Sequence, residues 1–142
     1  MDNAEFVAQW FEQVWCPPRN ADAIDEMLAA DCRLFGIRGD EPINRDGFRL
    51  VWEQFVRAFP DLSIKMLDAV SDGERCTFRA RVEGIHGKGP FAFEGGGIVT
   101  IRGGKIVESH ETWDFFALLA QLGAVSADAL DRLLAESAAT ES

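Results

Sequence analysis

A chain of 142 residues has the length of one domain and can bury about two-thirds of its unfolded surface. Its net charge of −10 opposes the phosphate neutralisation on which nucleic-acid binding rests, and opposes anionic membrane surfaces too. The 47% hydrophobic content is that of a globular protein, but 11 Phe and 4 Trp without a Tyr favour a large core or an apolar cavity.

The opening, MDNAEFVAQWF, carries acids where a signal peptide needs positive charge, and no apolar run reaches membrane-spanning length. Phe6, Trp10 and Val14 with Val7, Phe11 and Trp15 form one broad apolar stripe, which predicts a first helix. Pro17 and Pro18 stop it, and Asn20 can cap a short second helix that buries Ile24, Met27 and Leu28. LFGIRGDEPINRDG reads as a short strand and loop. A third helix follows, with Phe48, Val51, Trp52, Phe55, Val56 and Phe59 on its face and Pro60 closing it.

The period then changes from helical to two. LSIKMLDAV and RCTFRARVEGI flank the Asp72-Gly73 turn signal, and FAFEGGGIVTI and KIVESHETW flank Gly103-Gly104. FFALLAQLG reads as a helix, and Ser126 can cap a last one through Leu130, Leu133 and Leu134, with a frayed ESAATES tail. Helices followed by an antiparallel sheet define the α+β class. A strongly curved sheet closed by N-terminal aromatic helices would leave a cone-shaped apolar cavity, a plausible small-molecule site. Cys16, Cys32 and Cys76 have no metal or disulfide spacing, and a reduced, cytoplasmic protein is expected. His86 and His110 show no metal-ligand spacing either.

Counting outward from a two-residue turn at Gly103-Gly104 pairs Ile101 with Ile106, Val99 with Glu108, Gly97 with His110, Gly95 with Thr112 and Phe93 with Asp114. All of these share one face, while Ser109, Glu111 and Trp113 share the other. In this register the glycines leave empty volume opposite His110 and Thr112, or else GGG marks a bulge or bend. Asp114, beside Phe93 and Phe115, is either a proton shuttle with its pKa raised by apolar neighbours or a helix N-cap. His110 lies about 13 Å from Asp114 along the strand, too far for a dyad but able to bracket a substrate. Phe91, Trp52 and Trp113 are candidates for the pocket wall or its support.

AFPDL, GIHGKGPF, GGKIVE and TWDFFALLAQLG occur in this order, and together they resemble the SnoaL-like polyketide cyclase and ester-cyclase group of the NTF2-like superfamily. The resemblance runs from about Val14 to Gly123. It implies one SnoaL-like domain over 1–142, with about 124–142 as a C-terminal helical extension. It further implies an NTF2-like (cystatin-like) cone, a homodimer through the sheet and no cofactor. By resemblance Asp114 matches the group's general acid/base, which takes a proton alpha to a carbonyl before an intramolecular aldol. Trp113 fits the group's pattern, and His86 matches the histidine of its GTH motif, with Ile85 replacing Thr. The expected site therefore comprises Asp114 and His110 as acid–base groups, with His86, Trp52, Phe91, Phe93, Thr112 and Trp113 around a small apolar ligand. GGGIVTI lacks the pocket histidine of the cyclases, and the superfamily also holds isomerases, dehydratases, hydrolases and non-catalytic binding modules.

Overall fold

The computed structural model describes residues 1–87 and 89–141; Lys88 of the GIHGKGPF motif and Ser142 of the tail lie outside the described residues. Helix α1 (Asn3–Trp15) starts where the Asp2 carboxylate accepts the Glu5 N–H at 2.8 Å, and it buries Val7, Trp10, Phe11, Val14 and Trp15. The chain leaves α1 through Pro17-Pro18 to Arg19, whose guanidinium donates to the carbonyls of Trp15 and Leu62. Helix α2 (Asp22–Met27) follows, with the Asn20 side chain accepting the Asp22 N–H, and runs directly into strand β1 (Leu28–Phe35). Helix α3 (Arg45–Ala58) is capped by Asn44, which accepts the Gly47 N–H at 3.0 Å. It is tied to α1 by the Trp52 indole, which donates to the Val14 carbonyl at 2.8 Å.

Strands β2 (Ser63–Asp72), β3 (Arg75–His86), β4 (Gly89–Arg102) and β5 (Lys105–Trp113) form the antiparallel meander foreseen from the period-two pattern. The sheet order is β1-β5-β4-β3-β2, and β1 joins β5 in parallel, so one edge departs from the all-antiparallel expectation. The tight turn between β2 and β3 forbids a parallel pairing there, whereas the helix-bearing segment from β1 to β2 lets β1 reach the far edge. Helix α4 (Phe115–Gln121) closes the open end of the sheet, where the Gln121 amide exchanges two hydrogen bonds with the Ala92 backbone. Helix α5 (Ala129–Glu141) continues through most of the tail that was expected to fray.

The core lies between α1, α3 and the concave face of the sheet. Phe11 sits against Phe78 at 5.1 Å between ring centroids, and Trp10 and Trp15 both meet Phe48. Each such side chain contributes about 1.5–3 kcal/mol by leaving water. The aromatic excess is therefore spent on this layer, which also walls the site.

The register of the last hairpin differs from the simple count. Ile101 does pair with Ile106, but Thr100 pairs with Glu108, leaving Val107 as one extra residue on β5. Beyond this bulge Val99 faces Ser109, Ile98 faces His110, Gly97 faces Glu111, Gly96 faces Thr112 and Gly95 faces Trp113. A one-residue slip turns every later side chain to the opposite face. Ser109, Glu111 and Trp113 consequently point inward.

Candidate active site

An apolar cavity of about 70 Å³ occupies the centre of the cone, with Trp10, Phe11, Trp15, Phe48, Phe78 and Phe93 among its walls. Of its lining residues, only Ser109 and Glu111 carry a polar aliphatic side chain, and Glu111 alone bears a titratable group. Alternate positions of β5 supply both, together with Trp113. The Ser109 hydroxyl donates to Glu111 Oε2 at 2.7 Å, and the Trp113 indole donates to Oε1 at 3.1 Å. Each carboxylate oxygen is thus held by a neighbour on its own strand.

Withdrawal from water pushes the Glu111 carboxyl above its ordinary value, while the Ser109 and Trp113 hydrogen bonds pull it back. The opposed effects leave a carboxyl group that is fixed in direction yet readier to take a proton than an ordinary glutamate.

The glycine triplet explains how the strand accommodates this array. A Cβ at Gly95 would lie 2.3 Å from the Trp113 ring, and one at Gly97 would lie 3.1 Å from Glu111 Cγ. The missing volume is real, but Trp113 and Glu111 use it, not Thr112 and His110 as the unbroken register implied.

The remaining expected site residues are dispersed. Phe93 and Trp113 line the cavity. Thr112 is exposed, as is His110, whose ring stacks on Phe35 at 4.5 Å and 3° while Nε2 lies 3.1 Å from Glu108 Oε2. Asp114 is exposed and caps α4, accepting the Ala117 N–H at 3.0 Å. Trp52 is turned to α1, Phe91 packs on Phe59, and His86 meets the Phe59 ring at 5.7 Å; none of the three lines the central cavity. Glu111 and Ser109 were absent from the expected set because the unbroken register turned them outward.

Other chemistry finds little footing. Burial pushes the Cys32 thiol up to about 11, which leaves it a poor nucleophile. Among the described residues no group of three or more His, Cys, Asp or Glu could hold a metal ion. No helix among them is long and apolar enough to cross a membrane.

Fold and site together define an NTF2-like α+β cone built around an internal pocket. Within that class the chain belongs to the SnoaL-like domain family, whose model matches residues 7–109. No curated protein sequence matches the chain. IdmH from Streptomyces antibioticus, a provisionally assigned polyketide cyclase, superposes with a TM-score of 0.74 at 26% identity, over 84% of this chain and 96% of that one. A loop-truncation variant of IdmH gives a TM-score of 0.75 at 28% identity, over 83% and 97%. A protein of ketosteroid isomerase-like fold from Catenulispora acidiphila, solved with trimethylamine, gives 0.72 at 20% identity over 84% and 92%, a likeness of fold alone.

Proposed function

We propose that the protein is a cofactor-independent acid–base enzyme of the polyketide cyclase type, acting on a small, neutral, apolar carbonyl compound through Glu111. The observation that carries this reading is one carboxylate facing an otherwise apolar cavity, with both oxygens held in place. In the reaction Glu111 removes a proton from the carbon beside a carbonyl, and the electron pair left behind forms an enolate. That carbon attacks a second carbonyl of the same molecule, closing the ring, and Glu111 returns the proton to the resulting alkoxide. Among the described residues no Lys, Arg or His lines the cavity, so a negatively charged substrate would meet the charge of Glu111 without a cation beside it. Homodimerisation through the outer sheet face belongs to the same reading and is checked by light scattering.

The test is deuterium uptake at C2 of ethyl acetoacetate in heavy water, comparing Glu111→Gln with Asp114→Ala. Wild type should accelerate the exchange and Glu111→Gln should not. Asp114→Ala should keep the exchange and lose about 1 kcal/mol of stability in urea, the usual cost of a lost N-cap. Exchange lost in a folded Asp114→Ala and kept in Glu111→Gln would move the role to Asp114.

A further inference from the structure

The two groups that hold Glu111 are chemically unlike. An indole N–H donates and never accepts, whereas a serine hydroxyl does either. Trp113 therefore needs Oε1 to remain an acceptor in every state, and a proton placed on Oε1 would weaken the one hydrogen bond that the indole makes there. Ser109 faces no such demand. Its hydroxyl donates to an ionised Oε2 and, by rotating, accepts from a protonated one. Ser109 is 1% exposed, so bulk water cannot readily substitute for it.

We propose that Trp113 and Ser109 are positioning residues with divided roles: Trp113 fixes Oε1 as the permanent acceptor, and Ser109 makes Oε2 the oxygen that carries the proton. The inference rests on Glu111 being the acid–base group. It adds which oxygen works and why the strand carries Ser, Glu and Trp at alternate positions. In the forward step the substrate C–H bond breaks and an O–H bond forms at Oε2. The electron pair stays on the substrate, and the Ser109 hydroxyl turns from donor to acceptor. The return step reverses each change.

Among the described residues no other charged side chain lines the cavity. α1 presents Val7, Trp10, Phe11 and Trp15, and α3 presents Phe48, Val51 and Phe55. β1 presents Leu28 and Leu34, while β2 to β4 present Ile64, Phe78, Val82, Phe93 and Val99. Leu62 before β2, Ile37 after β1, Ile106 at the start of β5 and Phe115 on α4 complete an apolar surround. The titratable neighbours along the chain, Glu108 and His110 on β5 and Asp114 just after it, are not among the cavity residues.

The experiment is infrared difference titration of the whole protein without substrate, with the Glu111 carbonyl band assigned by its loss in Glu111→Gln. The neutral acid has its C=O at Oε1, under the indole. Trp113→Phe should therefore raise the C=O frequency of the low-pH form, and Ser109→Ala should move it less. The proton affinity of Glu111 should rise in both Trp113→Phe and Ser109→Ala, since each loses a hydrogen bond to the charged form. A carbonyl shift in Ser109→Ala equal to or larger than that in Trp113→Phe overturns the proposal, as does no shift in either. Should Trp113→Phe fail to fold, the wild-type protein still decides the matter. Its Trp113 indole N–H resonance should stay protected from solvent exchange below the Glu111 midpoint, and loss of that protection overturns the proposal. These readings need no turnover, so a silent ethyl acetoacetate assay beside the expected band pattern would defeat the enzymatic reading alone.

Discussion

Glu111→Gln should cut turnover by about 10²- to 10⁴-fold, the usual worth of a positioned acid–base group, while making the protein more stable at neutral pH. The two effects have one origin. Glutamine can accept the Trp113 indole N–H with its oxygen and donate to the Ser109 hydroxyl with its nitrogen, so it satisfies the contacts of Glu111 without its charge. The sign of the pH dependence follows from the raised carboxyl of Glu111. The native state then holds the proton more tightly than the unfolded chain. Stability is therefore lost as pH rises from the ordinary glutamate value of about 4.3 through the higher native one, and is level above it. The variant lacks this loss. Its advantage should vanish below about pH 4 and grow with pH to on the order of 1–3 kcal/mol, the cost of an imperfectly compensated buried polar group. Calorimetric melting of both proteins from pH 4 to 8 checks it. An advantage that shrinks as pH rises would mean that Glu111 is stabilised as a carboxylate, and its role as a base would fall with it. A gain in stability from removing a buried charge at a proposed site is the exchange of stability for function expected of a working group.

What the chain disclosed of this arrangement was uneven, for physical reasons. The apolar rows of α1 and α3 were legible because a helix repeats its face every few residues and aromatic side chains marked each repeat. The meander was legible from period-two patterning and two glycine turns. The family resemblance had already pointed to the cone, which the structure and the SnoaL-like family match now show. The bulge at Val107 was not legible, because bulged and regular strands use the same residues and differ only in pairing. That one residue decided which carboxylate faced the cavity. A signal did exist in Trp113. An unbroken register turns the strand's largest apolar side chain away from the core, and shifting it inward carries Ser109 and Glu111 along. Asp114 drew notice by standing at the strand-to-helix junction, where its side chain in fact accepts a backbone N–H of the first turn of α4.

Gly36→Ala should be among the most damaging single-methyl additions, with Gly97→Ala close behind, because both positions press on the backbone of the same residue. A Cβ at Gly36 would stand 1.9 Å from the Glu111 carbonyl oxygen, and the residue also holds a φ of +85°. A Cβ at Gly97 would stand 2.2 Å from the His110 carbonyl oxygen and 2.9 Å from Glu111 Cα. Neither obstacle is a flexible side chain, so relief requires moving β5. Overpacking of this kind costs about 1–3 kcal/mol, and the left-handed backbone at Gly36 adds about 1–2 kcal/mol more. Gly103→Ala provides the comparison: its φ is +61° but nothing lies within 4 Å, so only the backbone term of about 1–2 kcal/mol applies. Urea denaturation should therefore rank the losses as Gly36→Ala, then Gly97→Ala, with Gly103→Ala no worse than the latter. Folded Gly97→Ala should also lose deuterium exchange, since the strand that must yield is the one that aims Glu111, whereas Gly103→Ala should keep it. Equal exchange in both variants would show that the glycines serve packing alone, and that the aim of Glu111 does not depend on how closely β4 approaches it.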